Sequence, residues 1–290
     1  MKIVIPGGSG QVGTILARAF HKAGHEVVVL SREPNSAPWK TVLWDGVNPG
    51  DWTQELEGCD AVINLAGRSV NCRYTAANRK QILDSRVLST QAVGKAIAQA
   101  DQPPRLWLQM STATIYAHRF DAANDEVTGM IGGSEPNVPD TWKFSIEVAL
   151  AWERAFQEAR TEHTRKIALR SAMVMSPDAG GVFDTLLKLV KKGLGGRAGD
   201  GRQFVSWIHH EDFARAIQWL IEHENVAGVV NLSSPNPLPN AEFMRELRNA
   251  SGIPFGLPAA KWMLEIGAIF MQTETELILK SRRVVPRRLL

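Results

Sequence analysis

Only two of the 290 residues are cysteine, Cys59 and Cys72, and no CxxC spacing or Cys/His cluster surrounds either. That scarcity excludes a disulfide framework and a cysteine-based metal centre, and predicts two reduced thiols. Long apolar runs are also missing: no stretch reaches the roughly 20 residues that a membrane-spanning helix needs. The glycines interrupting MKIVIPGG leave too short a run for a signal-peptide core. Together these absences predict a cytoplasmic protein with no membrane partner. Charge of one sign is equally scarce, 33 basic against 30 acidic residues giving a formal net charge of +3. The one basic cluster, Arg282 to Arg288, lacks interleaved aromatics and is expected to be solvated surface, so nucleic acid is not an expected partner. No internal repeat or low-complexity tract is present.

What is present is the texture of an ordinary globular chain, 44% hydrophobic and 22% charged. Short apolar runs alternate with longer helical patterns through the first two thirds, the signature of βαβ units and a parallel sheet covered on both faces. Strands are expected at Lys2 to Ile5, Glu26 to Leu30, Thr41 to Trp44, Ala61 to Leu65, Arg105 to Met110 and Lys166 to Arg170. Val12, Ile15, Leu16, Ala19 and Phe20 share one helical face, and Ile82 to Ala98 and Ile146 to Phe156 read similarly. After Ser176 the glycine-rich PDAGG and GLGGRAGDGRQ predict ligand-facing loops. Val205 to Ile208 and Val229 to Leu232 are expected to rejoin the sheet, with a helix from about Glu211 to Glu222 between them. The predicted fold class is therefore α/β: a Rossmann-like, doubly wound parallel sheet (1–175 and 205–234) with a smaller, discontinuous C-terminal substrate lobe (176–204 and 235–290).

Gly7-Gly8-Ser9-Gly10-Gln11-Val12-Gly13 lies directly after a strand and opens an amphipathic helix, the context that a dinucleotide fingerprint requires. Gly7 can make the tight turn, Gly10 lets the backbone approach a pyrophosphate, and Gly13 permits close helix packing. An acidic residue at the end of the second strand would bind the ribose hydroxyls of NAD, but Ser31 and Arg32 stand there instead. A hydroxyl followed by a guanidinium suits a 2′-phosphate, so NADP is the expected cofactor. Asn64-Leu65-Ala66-Gly67 ends the fourth strand in a small-residue turn, whose backbone is expected to flank the adenosine or ribose.

At this point the sequence resembles the extended short-chain dehydrogenase/reductase superfamily. Within it the likeness is to an atypical branch named NAD-dependent epimerase/dehydratase or nucleoside-diphosphate-sugar epimerase family proteins, which carry a C-terminal domain of unknown function. The likeness covers nearly the whole chain through GGSGQVG, VINLAG, Ser85-Arg86, Trp152-Glu153, LGG followed by GDGRQ, SWIHHEDF, NLSSPNP and VVPRRLL. It implies NADP contacts from Ser31, Arg32, Leu65, Ala66 and Arg86, with Gln81 and Val174 at further contact positions. The superfamily's chemistry implies a Tyr-x-x-x-Lys pair, in which the lysine lowers the tyrosine pKa for proton transfer. This chain has two tyrosines, and the fourth residue after Tyr74 is Asn78, after Tyr116 Phe120. Anchoring on Trp152-Glu153 puts Ser145 in the tyrosine's place and Ala149 in the lysine's.

The resemblance implies a substrate-binding hydroxyl at Ser111 or Thr112, and Tyr116 and Lys143 are nearby candidates to replace the lost pair. It also places Arg202, Trp207 and His209 along the substrate cleft. No metal is expected at His209, His210, Glu211 and Asp212, because consecutive residues face different sides of a strand or helix start. Two functions follow. One is an NADP-dependent oxidoreductase or nucleotide-sugar epimerase acting on a small molecule, either a carbonyl compound or a nucleotide sugar. The other is a non-catalytic module that holds NADP(H) and signals nucleotide state to a partner, some relatives being linked to cell or plastid division.

Overall fold

A computed structural model describes residues 1–34, 36–270 and 272–290. Its strands are β1 (Lys2–Pro6), β2 (Glu26–Ser31), β3 (Lys40–Leu43), β4 (Ala61–Asn64), β5 (Leu106–Thr112), β6 (Arg165–Ser171), β7 (Met173–Met175), β8 (Phe204–Val205), β9 (Trp207–His209), β10 (Gly228–Leu232) and β11 (Leu238–Pro239). The helices are α1 (Gln11–Lys22), α2 (Ala76–Gln99), α3 (Asp140–Glu158), α4 (Val182–Lys191), α5 (His210–Glu222), α6 (Asn240–Ala250), α7 (Lys261–Phe270) and α8 (Glu276–Leu279). Among the described residues no helix is long and apolar enough to cross a membrane.

Seven strands form a single parallel sheet in the order β10-β6-β5-β4-β1-β2-β3. Their unbroken apolar runs follow from burial on both faces, since neighbouring side chains on a strand point to opposite layers. Ile3 and Ile5 of β1, Val27 and Val29 of β2 and Ile63 of β4 pack with Leu16 and Phe20 of α1 and Phe213 and Ile217 of α5. Val4, Val28 and Val62, one residue out of step, pack instead with Val93 and Ile97 of α2 and Phe156 of α3. The strand order reverses between β1 and β4, so the carboxyl ends of these two strands border a crevice, the usual ligand site of such a sheet.

A second, smaller core brings together Met175, Val190, Val205, Phe243 and Met244 from β7, α4, β8 and α6. Here the expected strand Val205 to Ile208 does not rejoin the sheet. It is split at Ser206: β8 pairs with β11, and β9 pairs with β7. Ser206 is turned out of register to bind the C-terminal segment, its Oγ donating to the Arg282 carbonyl at 2.5 Å and accepting from the Val284 amide at 2.9 Å. The basic cluster is likewise only partly surface. Arg282 is buried, 6% exposed, because the segment that carries it is threaded beneath the loop after β5 and held by Thr114, Leu277 and Glu276.

Candidate functional site

The turn between β1 and α1 forms one wall of a cleft of about 460 Å3 at the carboxyl edge of the sheet. Gly7 has φ +74°, and a Cβ there would stand 2.6 Å from the Ala66 Cα, so only glycine lets the β1 and β4 ends approach this closely. A Cβ on Gly13 would stand 2.4 Å from Gly8 backbone atoms, which is why the helix can sit directly on the turn. α1 begins at an extended Gly10 with no side-chain cap and no acidic residue in its first turn. Its first amides therefore keep their donors and their partial positive charge for an anion.

The opposite wall comes from the ends of β2 and β3 and from α2. Ser31 is buried, its Oγ 3.0 Å from Ser9 Oγ and accepting from the Glu33 amide at 3.2 Å, which fixes the strand end against the glycine turn. Arg32 lines the cleft and is exposed, and among the described residues it makes no ion pair. Ala66, Gly67 and Gln81 line it too, Gln81 accepting from Arg68 NH1 at 2.5 Å. Arg86 lies under Gly67, 3.0 Å from the Arg68 and Ile82 carbonyls and stacked on Trp152. Burial pulls its guanidinium down to about 10, and no carboxylate of the described residues offsets that. Trp44 and Asp45, just past β3, also line the cleft and were not singled out as site residues; their signal was their place at the end of an expected strand, Thr41 to Trp44.

The other expected cofactor residues stand at the margin. Gln11 reaches across to the Asp178 carbonyl, while Val12 and Leu65 pack against the main core. Val174 lies inside that core on β7 and lines neither this cleft nor the pocket described next.

Beyond Arg86 a second, smaller pocket of about 120 Å3 is enclosed by α2, the end of β5, α3 and α8. Val70, Ile82, Phe144, Val148 and Trp152 make it apolar, and Tyr74, Thr112, Thr114, Ser145 and Glu276 give it hydroxyls and a carboxyl. Ser145 and Ala149, which hold the places of the missing tyrosine and lysine, both line it. Ser145 Oγ is 2.5 Å from Glu276 Oε2 and 3.5 Å from the Tyr74 hydroxyl. Thr112 faces this pocket and its Oγ1 accepts from the Thr114 amide at 3.1 Å. Glu276 and Tyr74 were not anticipated as site residues.

The remaining candidates are placed elsewhere. Ser111 Oγ donates to Glu153 Oε1 at 2.6 Å, Arg170 pairs with both Glu153 oxygens at 2.8 Å, and Arg170 NH1 donates to the Tyr116 hydroxyl at 3.1 Å. That hydroxyl in turn donates to Asn231 Oδ1 at 2.9 Å. Ser111 and Tyr116 are thus members of a buried network that ties β5, α3, β6 and β10 together, and neither lines the pocket. Lys143 points to solvent from α3. Arg202 is exposed over the Phe120 ring, Trp207 packs against the smaller core, and His209 caps α5 by accepting from the Glu211 amide at 3.4 Å. The three do not converge. Among the described residues no group of three or more His, Cys, Asp or Glu side chains could hold a metal.

Sequence and structure comparisons agree with this fold. The family described as "NAD dependent epimerase/dehydratase family" matches residues 3–233. The chain is 33% identical to epimerase family protein SDR39U1 of Bos taurus, over all of this chain and 93% of that protein. The crystal structure of human SDR39U1 (isoform2) with NADPH superposes with a TM-score of 0.85 at 31% identity, covering 99% of this chain and 92% of that one. MoeE5 in complex with UDP-glucuronic acid and NAD shares the fold, with a TM-score of 0.73 at 18% identity over 99% of this chain and 89% of that one. A cleft built on a glycine turn at the sheet's reversal point, matched over most of the chain by one family, leads to one conclusion: the chain belongs to the NAD dependent epimerase/dehydratase family.

Proposed function

We propose that the protein binds NADP(H) in the larger cleft and reduces a small carbonyl compound held in the pocket beyond Arg86. The observation that carries the cofactor reading is Arg32, which lines the cleft with the uncapped start of α1 and makes no ion pair among the described residues. A free guanidinium at the end of β2 suits a ribose phosphate through charge-assisted bonds, and a carboxylate in its place would repel one. The NADPH complex of the human relative supports the same choice.

When bound, the dinucleotide supplies a hydride. The chain's own residues would do the rest: Thr112 and Ser145 present hydroxyls to a carbonyl oxygen, and Ile82, Phe144, Val148 and Trp152 keep water out, which strengthens each polar contact inside. A volume of about 120 Å3 is small. A water molecule's share of the liquid is about 30 Å3, so the pocket suits a reacting group of a few heavy atoms better than a whole sugar ring. Because Glu276 and Leu277 help to enclose it, we assign 1–175 and 205–234 to the cofactor and 176–204 and 235–290 to the substrate side. Two free cysteines and no membrane-length helix among the described residues support placing the protein in the cytoplasm.

The test is calorimetric titration with NADPH and NADH, followed by incubation of the NADPH complex with a panel of aldehydes, ketones and UDP-sugars. Oxidation of NADPH by a carbonyl compound is the expected result. Interconversion of a sugar nucleotide without net NADPH loss would make the protein an epimerase, and binding without turnover would make it a holder of NADP(H). Absence of heat with either nucleotide would overturn the proposal.

A further inference from the structure

Glu276 opens α8, is 2% exposed, and meets Ser145 from 131 residues away. Its Oε2 lies 2.5 Å from Ser145 Oγ, while its Oε1 is buried with no hydrogen-bond partner among the described residues. Two cations stand near that oxygen without bonding it: Lys280 Nζ and Arg282 NH2 are each 3.9 Å away. Their hydrogens go elsewhere. Lys280 donates to the Thr114 carbonyl at 2.7 Å, and Arg282 donates through Nε to Thr114 Oγ1 at 3.2 Å, through NH1 to the Leu277 carbonyl at 3.0 Å and through NH2 to the Glu276 carbonyl at 3.2 Å.

A carboxylate buried as the anchor of an ion pair would hold those donors on its own oxygens, because an unpaired charge in a dry site is costly. A neutral carboxylic acid has no such need, and its single proton matches the single short contact to Ser145. Burial pushes the Glu276 carboxyl up, against the opposing pull of Arg282, the Ser145 hydrogen bond and Lys280 and with the help of Glu274. Tyr74 and Arg86 face the same pocket from the α2 side, and burial raises the Tyr74 phenol, keeping it a donor. Ser145 Oγ lies 3.3 Å from the Thr141 carbonyl. As placed, Ser145 Oγ donates to Glu276 Oε2; with the proton on Glu276 the contact runs the other way, and the hydroxyl proton is free to turn to an oxygen in the pocket. Ala149, one turn along α3, leaves the space in front of it open.

We propose that Glu276 and Ser145 are the proton-donating pair of this pocket, Ser145 touching the substrate oxygen and Glu276 acting as the acid behind it. The inference rests on the carbonyl reductase function and names its proton source. As the carbonyl carbon accepts the hydride and its electron pair from the reduced dinucleotide, the C=O π pair moves onto oxygen. Ser145 gives its proton to that oxygen and takes the Glu276 proton, so one O–H bond breaks and one forms at each step. Glu276 is left a carboxylate 3.9 Å from Lys280 and Arg282, whose charges are in place where the negative charge develops. Water then restores its proton.

The test uses the full chain with NADPH bound, by infrared spectroscopy at neutral pH. A buried carboxylic acid gives a C=O stretch separate from carboxylates and amides. That band is expected in the native protein, absent in Glu276→Gln and displaced in Ser145→Ala, while NADPH affinity changes by less than about threefold, no charge-assisted contact to the nucleotide being lost. With a carbonyl substrate, kcat in both variants should fall by about 10²- to 10⁴-fold with little change in KM, the usual range for a lost acid. Ser145→Ala removes one hydroxyl only, so it keeps the test open if Glu276→Gln misfolds. A native spectrum without the band, a band that survives Glu276→Gln, or a band unmoved by Ser145→Ala would overturn the pair. The infrared arm needs no substrate. Loss of NADPH binding by the native protein would instead sink the reductase function, so the two failures are distinct.

Discussion

The two halves of the site are built in opposite ways. Apart from Gln81, Asp84, Ser85 and Leu88 of α2, the nucleotide cleft is made of strand ends and the turns that follow them, each a contiguous piece of chain: Gly7 to Gly10, Ser31 and Arg32, Ala66 and Gly67. The pocket beyond it draws Tyr74, Thr112, Ser145 and Glu276 from four separate stretches, and Ser145 bridges the Tyr74 hydroxyl and one Glu276 oxygen. The first half leaves Arg32 and the first amides of α1 unpaired for a ligand, while the second buries its carboxyl. A site for a charged cofactor is thus open and locally encoded, and a site for proton transfer is closed and assembled over long range.

Replacing Arg170 by Ala tests whether the network beneath both halves is framework alone. Glu153 would remain buried without its bidentate partner, and losing one member of such a pair costs about 3–5 kcal/mol. The expected result is a large drop in denaturant midpoint with NADPH affinity retained by the folded fraction. A selective loss of NADPH affinity would return Ser111 and Tyr116 to the site and blur the contrast. Smaller, and confined to the open half, is Arg32→Ala. A charge-assisted hydrogen bond contributes about 1.5–3 kcal/mol, so NADPH affinity should fall by that amount while NADH affinity holds. Calorimetry showing equal losses for both nucleotides would mean that Arg32 shapes the cleft without reading the phosphate.

Per pH unit, the smallest effect belongs to the closed half. Burial pulls Lys280 from 10.5 down to about 8, so between those values the unfolded chain binds more protons than the folded one. Stability should therefore rise with pH from about 8 to 10.5, with a slope no steeper than about 1.4 kcal/mol per pH unit. Below pH 8 that contribution is gone. Lys280→Met should flatten the rise in denaturant melts, and an unchanged slope would show that Lys280 titrates as it does in the unfolded chain.

The same contrast explains what the sequence discloses. Ile3 to Ile5, Val27 to Leu30 and Ala61 to Ile63 are apolar without a break because both faces of the sheet are covered, and the glycine turn announces itself by standing between a strand and a helix. Local pattern suffices there. It fails at Ser206, where a strand pattern is broken by side-chain bonds to Arg282 and Val284 that lie 76 and 78 residues away. It fails again at Arg282, whose basic neighbourhood reads as solvated surface until the fold buries it. Tyr116 is near the site in sequence, yet its hydroxyl is spent on Asn231 and Arg170 in the core. For Glu276 a trace was available: Glu276 and Lys280 stand four apart around Leu277, Ile278 and Leu279, charges set in an apolar run.

Threading the C-terminal segment past Thr114, Ser206 and Asn124 has a kinetic consequence. Joining Glu276 to Ser145 closes a loop of 131 residues, whereas β1 meets β2 over a span of 24, as in the pairing of Lys2 with Glu26. Contacts of long sequence separation are repaid only after much chain entropy has been lost, so they form late. During refolding the nucleotide crevice is therefore ready before the acid arrives, and NADPH can dock on a molecule that has yet to acquire its proton donor.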